Sequence, residues 1–319
     1  MRQCTVPRFL ADEAAVGRVR ANRPLAPLTR YRLGGPAEWF VRPQNLAQLA
    51  ETISRCRQEG VPCRVLGGGA NLLVDDDGVD GVVIHLDAPC FRQVVWDVDH
   101  KSLSSRFPLP ASRLPTSLVR VGAGVDMAKL VLASVRRALS GLECMAGIPG
   151  SVGGSIRMNA GGRWGEIAKV VREVSVVEPS GELRVLAPTE VGFGYRHTAL
   201  NGSIVCEALL ELTLADPAEL RRRYREIWAA KKAAQPLAVH SAGCVFKNPP
   251  GDSAGRLIDA AGLKSLNIGT ATISPAHANF IVSGKGGRAR DVLDLIGLVR
   301  QTVAQRFAVD LELEIEVWE

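Results

Sequence analysis

The sequence is poor in aromatic residues, which make up 5% of its 319 positions. Proteins that hold single-stranded nucleic acid stack the bases on aromatic side chains, so the composition argues against that role. No apolar run approaches the roughly 20 residues that a membrane-spanning helix needs. Residues 1–23 are interrupted by charges and lack the apolar core of a secretory signal. We therefore expect a soluble, cytoplasmic protein that binds neither nucleic acid nor membranes.

Paired cysteine motifs are also missing. The seven cysteines are odd in number, and no two of them are spaced as C-x-x-C. This pattern argues against a disulfide framework and against a zinc site. We expect reduced thiols, no bound metal and no obligate protein partner.

The excess of positive charge is partly local. The formal net charge is +6, and part of it lies in Arg221–Arg223 and Lys231–Lys232. Such runs are most often the solvated face of a helix. The alternative is a site for a small polyanion, such as a nucleotide diphosphate.

Helical and strand patterns follow one another without regular alternation, which favours the α+β class over a doubly wound sheet. Apolar periodicity, capping residues and turn residues predict the individual elements. The predicted helices begin near Asn45 and end at Gly60, run over 126–139 with Gly141 as the stop, begin at Asp216 and end before Gln235, and include Val292–Val303. The predicted strands are 37–41, 63–66, 81–86, 118–121, 174–178, 183–186, 204–214 and, by strict alternation, 311–317; we expect 97–115 to be an exposed loop.

Two glycine-rich loops carry the clearest ligand signal. LGGGANLLV (66–74) follows a predicted strand, and the second loop covers 147–165. Neither matches the dinucleotide fingerprint or the P-loop, and either alone could be a tight turn. Two such loops favour a long ligand with a diphosphate, such as FAD, because glycines let backbone N–H groups approach phosphate. The expected cofactor contacts are Leu66, Gly67, Gly68, Gly69, Ala70, Asn71, Leu72, Gly147, Ile148, Pro149, Gly150, Gly153, Gly154 and Asn159.

A cysteine in a segment of small residues is the second signal. SAGCVFKNP (241–249) places Cys244 after three small residues and before a cation and an amide. With His240 as a base, Cys244 could be the nucleophile of a hydrolase, although a histidine four residues away on an irregular loop seldom faces the thiol. Buried, inert cysteines are the more common case.

Together these motifs resemble the UDP-N-acetylenolpyruvoylglucosamine reductases. The resemblance runs from Thr29 to Ile315 and rests on TRYRLGGPAEWFV, LGGGANLLV, GLECMAGIPGSVGGSIRMNAGGRWGEI, GYRHT, QPLAVHSAGCVFKNP, AGRLIDAAGLKSLNIGTATISPAHANFIV and LELEI, in family order. It implies an FAD-binding domain of the vanillyl-alcohol-oxidase (PCMH) type, 23–215, with subdomains at about 23–95 and 116–215. A smaller α+β substrate-binding domain, 216–319, would follow, and 1–22 would be an N-terminal extension. The short connection after GYRHT resembles the family's shorter type, which lacks an extra loop with a substrate-clamping tyrosine.

The resemblance also implies a reaction. NADPH would reduce a non-covalently bound FAD, since neither glycine loop contains a histidine for covalent attachment. Flavin N5 would then deliver a hydride to the enolpyruvyl ether of a UDP-sugar, a step in peptidoglycan precursor synthesis. Another FAD oxidoreductase of the same fold and a non-catalytic nucleotide-binding relative are the alternatives.

The family's catalytic residues correspond to Arg196, Glu314 and Cys244, the last where the family commonly has serine. Arg196 would bind the carboxylate whose charge rises, and Cys244 would donate the proton. Glu312 or Glu316 would replace Glu314 if the register slipped by one repeat. The implied substrate-binding residues are Tyr195, Lys231, Lys247, Asn248 and Asn279, and a buried structural amide is the alternative for Asn279.

Overall fold

The computed structural model describes residues 7–10, 17–98, 115–236 and 239–319. Most of the predicted N-terminal extension and of the loop 97–115 lies outside these residues. None of the described helices is both long and apolar enough to cross a membrane.

The first subdomain is a four-stranded sheet with one covering helix. Its strand order is β1-β2-β5-β3, antiparallel between the first two strands and parallel elsewhere. The helix begins where predicted, because the Asn45 side chain accepts from the N–H of Gln48. It buries Leu49 and Ile53 against Trp39 and the strands. The elements are β1 (Val19–Pro24), β2 (Pro36–Val41), α1 (Leu46–Gln58), β3 (Cys63–Leu66), β4 (Leu72–Val74) and β5 (Val79–His85).

The second subdomain is built on an antiparallel sheet of order β12-β11-β13-β7-β6, with β8 paired to β13. Apolar residues of this sheet join the first subdomain in one core cluster. Its strands are β6 (Val94–Val95), β7 (Thr116–Gly122), β8 (Leu139–Ser140), β9 (Gly161–Gly162), β10 (Gly165–Glu166), β11 (Val171–Val177), β12 (Leu183–Leu186) and β13 (Ile204–Leu214). Its helices are α2 (Met127–Arg136), α3 (Val152–Arg157) and α4 (Pro188–Val191).

The prediction that a helix runs from 126 to 139 is wrong at its end. The helix α2 stops at Arg136, and Ala138 takes a left-handed φ of 59°. Leu139 then pairs with Leu214 in β8, because burial in the sheet outweighs continued helix. Gly141 follows that strand and does not close the helix.

A long helix, α5 (Pro217–Ala234), connects to the C-terminal region. Asp216 caps it by accepting from the N–H groups of Ala218 and Glu219. The helix packs against α2 and the turn Glu143–Met145. The helix α5 therefore packs against the second subdomain. The domain boundary at 216 stays a prediction.

Buried residues of the C-terminal region form a second core cluster together with Tyr31, Leu33 and Leu73 of the first subdomain. The C-terminal region contains a three-stranded sheet of order β14-β15-β16. Asp76 of the first subdomain caps its long helix, accepting from the N–H groups of Ala289 and Arg290 at 2.8 and 3.1 Å. The elements are α6 (Ala254–Ala260), β14 (Asn267–Ile268), β15 (Ala271–Ile273), β16 (Ile281–Ser283), α7 (Ala289–Phe307) and β17 (Glu316–Trp318).

The predicted strand 311–317 is wrong in extent. Only Glu316–Trp318 forms a strand, β17, which pairs in parallel with β4. Residues 311–315 pack irregularly instead, with the N–H of Glu314 donating to the carbonyl of Val245 at 2.8 Å. The alternation of apolar and charged residues is still visible in side-chain burial, since Leu311 and Ile315 are buried. Pairing with the neighbouring segment, 244–248, is limited to a single antiparallel bridge between Phe246 and Leu313.

Candidate active site

A cavity of about 1510 Å³ lies where the two subdomains meet the C-terminal region. Both glycine loops line it, and so do Arg196, Cys244 and Glu314. The predicted cofactor segment and the predicted catalytic residues therefore share one site.

The first glycine loop connects β3 to β4 and touches the second loop directly. A Cβ on Gly68 would lie 2.7 Å from the Cα of Gly150, and one on Gly69 would lie 2.1 Å from the carbonyl oxygen of Leu28. Within the described residues, the N–H groups of Gly68, Gly69 and Ala70 have no hydrogen-bond acceptor. Unpaired N–H groups on side-chain-free backbone suit a phosphate. The loop therefore fits the diphosphate of FAD.

The second loop reaches the cavity around the turn 147–151. Gly147 and Gly150 take φ values of 76° and 124°, which only glycine adopts without strain. Gly153, by contrast, packs closely on Ala123, and its N–H donates to the Ala123 carbonyl at 2.9 Å. The first part of the loop therefore forms a wall of the cavity, and Gly153 also makes a close helix–strand contact. Gly153 and Gly154 line the cavity as well.

Three separate segments bring the predicted catalytic residues together. Arg196, between α4 and β13, donates from Nε to Oε1 of Glu314 at 2.6 Å and from Nη2 to the carbonyl of Gly161 at 3.0 Å. Cys244 adjoins Val245, the backbone partner of Glu314. Asn71 of the first glycine loop donates to the carbonyl of Glu314 at 3.0 Å.

Electrostatics keep the Cys244 thiol protonated. Burial raises the pKa of Cys244 to about 12, Glu314 acts in the same direction, and Arg196 opposes them. Burial also raises the pKa of Glu314, although its ion pair with Arg196 limits the rise. At neutral pH the site therefore holds a neutral thiol next to an ion pair.

The two alternatives for the acidic residue lie differently. Glu312 is exposed and pairs with Lys247. Glu316 lies on β17 at the cavity edge. Of the three carboxylates, Glu314 is the one that contacts Arg196.

Two predicted substrate-binding residues line the cavity. Lys231 of α5 is buried, donates to the carbonyl of Cys144 at 3.3 Å, and lies 5.5 Å from the ring of Trp164. Burial lowers its pKa to about 8. No carboxylate pairs with it among the described residues, so an anionic ligand would supply the missing countercharge. Asn248 also faces the cavity, and its side chain accepts from the N–H of Ala254.

The other predicted binding residues support the site from outside its lining, as far as the described residues define it. The Tyr195 hydroxyl accepts from the N–H of Asn248 at 3.3 Å. Asn279 is buried, and its side chain accepts from the N–H of Phe246 and donates to the carbonyl of Phe246. The amide of Asn159 donates to Gly194 and accepts from Ala168. Direct ligand contacts by these residues and by Lys247 stay predictions.

Several lining residues escaped the sequence analysis. His85 ends a parallel strand, and His277 lies between β15 and β16; burial lowers the pKa of both. Trp164 and Trp318 supply aromatic surface, and Arg157 adds charge. For His85 a signal was available, since ligands bind at the carboxyl ends of parallel strands. For His277, Trp164, Trp318 and Arg157 the sequence contained no such signal.

Neither a hydrolase nor a metal centre emerges from the described residues. His240 is exposed, and its described contact is a backbone bridge to Ser283, with no hydrogen bond to Cys244. No cluster of three or more His, Cys, Asp or Glu residues in the described ranges could hold a metal ion.

Comparison with known proteins matches both halves of the chain. The model of an FAD-binding domain matches residues 37–187. The model of the UDP-N-acetylenolpyruvoylglucosamine reductase C-terminal domain matches residues 235–318. With the glycine loops around the cavity, these matches define an FAD-dependent oxidoreductase of the PCMH-type fold.

Individual relatives identify the family within this class of FAD-dependent oxidoreductases. UDP-N-acetylenolpyruvoylglucosamine reductase 2 of Symbiobacterium thermophilum is 42% identical over 95% of this chain and 92% of its own length. The reductase of Halalkalibacterium halodurans is 38% identical over 95% of each chain. The crystal structure of the Thermus caldophilus enzyme superimposes with a TM-score of 0.76 at 40% identity, covering 94% and 98% of the two chains. The chain belongs to the UDP-N-acetylenolpyruvoylglucosamine reductase family.

Proposed function

We propose that this protein reduces the enolpyruvyl ether of UDP-N-acetylglucosamine to UDP-N-acetylmuramate with NADPH, in peptidoglycan precursor synthesis in the cytoplasm. The observation that carries the proposal is the convergence of Arg196, Glu314 and Cys244 in a cavity lined by both glycine loops. FAD, when bound, supplies hydride transfer from NADPH to the substrate. The chain's residues bind, orient and protonate.

Arg196 is the residue for the substrate carboxylate. Its guanidinium has five N–H donors, and the hydrogen bonds to Glu314 and Gly161 leave donors available. A fixed, permanently charged donor stabilises negative charge that develops in the transition state. Glu314 holds Arg196 in place and balances its charge.

Cys244 is the proton donor for the substrate α-carbon. A group with a pKa of about 12 is fully protonated at neutral pH, so every enzyme molecule carries the proton it must deliver. The same burial makes the resulting thiolate costly. The neighbouring Arg196 offsets that cost, since it is the group that favours the thiolate.

Lys231 and Asn248 bind the diphosphate or sugar of the substrate. Both line the cavity, and Lys231 is a buried cation with no carboxylate partner in the described part of the chain. Tyr195, which accepts from the backbone of Asn248, positions that residue.

Replacing the proton donor separates the two half-reactions. In Cys244→Ala, flavin reduction by NADPH should survive, because it needs no proton from this side chain. Flavin reoxidation by the sugar nucleotide should slow by roughly 10²–10⁴-fold, the usual contribution of a positioned acid. Stopped-flow absorbance of the flavin measures both rates, and Cys244→Ser is the control that should retain reoxidation. Unchanged reoxidation in Cys244→Ala would refute the assignment.

An anaerobic titration tests the activity itself. The purified protein should be yellow, lose its colour with NADPH and recover it with the enolpyruvyl UDP-sugar. A different FAD oxidoreductase would be bleached without recovering colour on that substrate. A non-catalytic relative would not be bleached at all.

A further inference from the structure

Arg196 lies at the tip of a short turn, 194–197. The N–H of Gly194 donates to the carbonyl of His197 at 3.0 Å, and the N–H of His197 donates to the carbonyl of Gly194 at 3.3 Å. Tyr195 and Arg196 lie between these paired residues, and Arg196 has a left-handed φ of 53°. A residue other than glycine keeps such a conformation only where the surrounding structure holds it. Contacts from outside the turn must therefore maintain it.

Two buried side chains attach the turn to residues 157–161, which run from the end of α3 to the start of β9. The amide of Asn159 donates to the carbonyl of Gly194 at 3.0 Å, on one side of the tip. The hydroxyl of Thr198 donates to the carbonyl of Arg157 at 2.9 Å, on the other side. Asn159 is 2% exposed and Thr198 is 4% exposed. Breaking either bond would leave buried polar groups without a partner, which is unfavourable.

The guanidinium of Arg196 is bonded to the same segment. Its Nη2 donates to the carbonyl of Gly161 at 3.0 Å, while its Nε donates to Glu314 at 2.6 Å. Three hydrogen bonds therefore connect residues 194–198 with residues 157–161. Neither Asn159 nor Thr198 lines the cavity, as far as the described part of the chain defines it. These two side chains can affect a ligand only through the groups that they hold.

We infer that Thr198 and Asn159 are positioning residues for Arg196, on the basis of the proposed function in which Arg196 binds the substrate carboxylate. A fixed cation stabilises developing charge only if its donors stay where that charge appears. Loss of either bond allows the left-handed turn to relax toward a more common backbone conformation, and the guanidinium moves with it. A displacement of about 1 Å at a catalytic group can slow a reaction by about a hundredfold.

A matched pair of substitutions tests Thr198. Thr198→Val keeps the shape of the side chain and removes the hydroxyl, whereas Thr198→Ser keeps the hydroxyl. In Thr198→Val, flavin reoxidation by the enolpyruvyl UDP-sugar should slow by about 10- to 100-fold. Flavin reduction by NADPH should be unchanged, because it involves no substrate carboxylate. Thr198→Ser should reoxidise at close to the parent rate.

Thr302→Val is the control for the loss of a threonine hydroxyl. Thr302 donates the same kind of bond to the carbonyl of Leu298 at 2.8 Å on α7, and its replacement should leave both half-reactions unchanged. Asn159→Gly should repeat the effect of Thr198→Val, because glycine tolerates the left-handed φ of 40° at this position but provides no amide. It also serves as the second test if Thr198→Val folds poorly.

A double substitution shows whether the effect passes through Arg196. Reoxidation should already be slow in Arg196→Ala, and adding Thr198→Val should slow it no further, since the effects of residues in one hydrogen-bond network are not additive. An additive effect, or equal slowing of both half-reactions in Thr198→Val, would overturn the inference. Slowing in Thr302→Val as large as that in Thr198→Val would overturn it as well.

Hydrogen exchange at the Arg196 Nε–H measures positioning without catalysis. In the holoenzyme with isotope-labelled arginine, this resonance is identified by its loss in Arg196→Ala. It should exchange about fivefold faster in Thr198→Val, which corresponds to the loss of one net hydrogen bond, and at the parent rate in Thr198→Ser. Unchanged exchange in Thr198→Val would overturn the inference. Reoxidation at the parent rate in Arg196→Ala would instead contradict the proposed catalytic role of Arg196, and the exchange rates would still decide whether Thr198 positions it.

Discussion

Arg196 combines backbone strain with a fixed guanidinium. Its φ of 53° is left-handed, a conformation that costs a non-glycine residue about 1–3 kcal/mol. Hydrogen bonds to Glu314 and Gly161 hold the side chain in the cavity. Strain that the surrounding contacts maintain is typical of a preorganised site. With these contacts, the Arg196 side chain is only 20% exposed.

Lys231 should give substrate binding a pH dependence. Burial lowers its pKa to about 8, with Cys144 acting in the opposite direction and Arg196 in the same one. The ammonium is present below pH 8 and lost above it. KM for the sugar nucleotide should therefore rise above pH 8, by up to about tenfold per pH unit. Steady-state KM values at pH 7, 8 and 9 measure this.

Lys231→Arg is the matched control for that profile. A guanidinium stays charged over this range, so the rise in KM should disappear even if KM at pH 7 changes. An identical rise in the arginine variant would exclude Lys231 as its source.

Three of the predicted catalytic residues come from separate motifs that the fold brings together. Cys244, Arg196 and Glu314 all line the cavity, and their catalytic roles stay predictions. Asn279 and Asn159 occur in equally recognisable motifs, yet their amides bond backbone groups. A motif does not show whether an amide contacts a ligand or the protein backbone, since the same residue type serves either purpose.

Among the elements, those with local signals were predicted well. Asn45 and Asp216 accept from backbone N–H groups at the starts of α1 and α5. Capping and apolar periodicity are properties of neighbouring residues, so the sequence displays them. The end of α2 and the extent of the last strand depend on pairing with distant segments, and both predictions were wrong there.

The close approach of the two glycine loops makes Gly68 a test of the cofactor site. In Gly68→Ala the new methyl group would lie 2.7 Å from the Cα of Gly150, a backbone atom that cannot turn aside. Overpacking of this kind costs about 1–3 kcal/mol. If the loops must separate, the Kd for FAD should rise by about ten- to a hundredfold. Flavin fluorescence titration measures this Kd.

Gly297→Ala is the control for that substitution. Gly297 lies on α7 with nothing within 4 Å of a new Cβ. Alanine there should leave FAD binding unchanged and stabilise the helix by up to about 1 kcal/mol. Equal FAD affinity in the two variants would contradict the role of Gly68.

At the scale of the whole molecule, the C-terminal segment closes onto the FAD-binding domain. The strand β17 pairs with β4, next to the first glycine loop, and Trp318 packs in a core cluster with Leu72 and Val74. Asp76 caps α7 from the same side. The first glycine loop, Glu314 and the C-terminal region are therefore joined by direct contacts.

Trp318→Ala should weaken both stability and FAD binding. Truncating a large buried aromatic residue typically costs 3–5 kcal/mol of the free energy of unfolding, and Trp318 is 8% exposed. Because it also lines the cavity, flavin retention should fall with it. Urea unfolding and the flavin-to-protein ratio measure the two effects. Trp318→Phe should retain most of both; a stable alanine variant with full flavin content would contradict the connection.

The sequence by itself determined the α+β class, the starts of α1, α2 and α5, the two glycine loops and the family. Each of these depends on residues close together in the chain or on motifs that follow one another in a fixed order. The tertiary structure alone decided which of three alternating glutamates meets Arg196 and that the amides of Asn159 and Asn279 bond backbone groups. It also decided that the C-terminal strand joins the first subdomain. These depend on contacts between segments far apart in the chain, where burial and backbone pairing in the folded molecule choose among side chains that look equivalent in sequence.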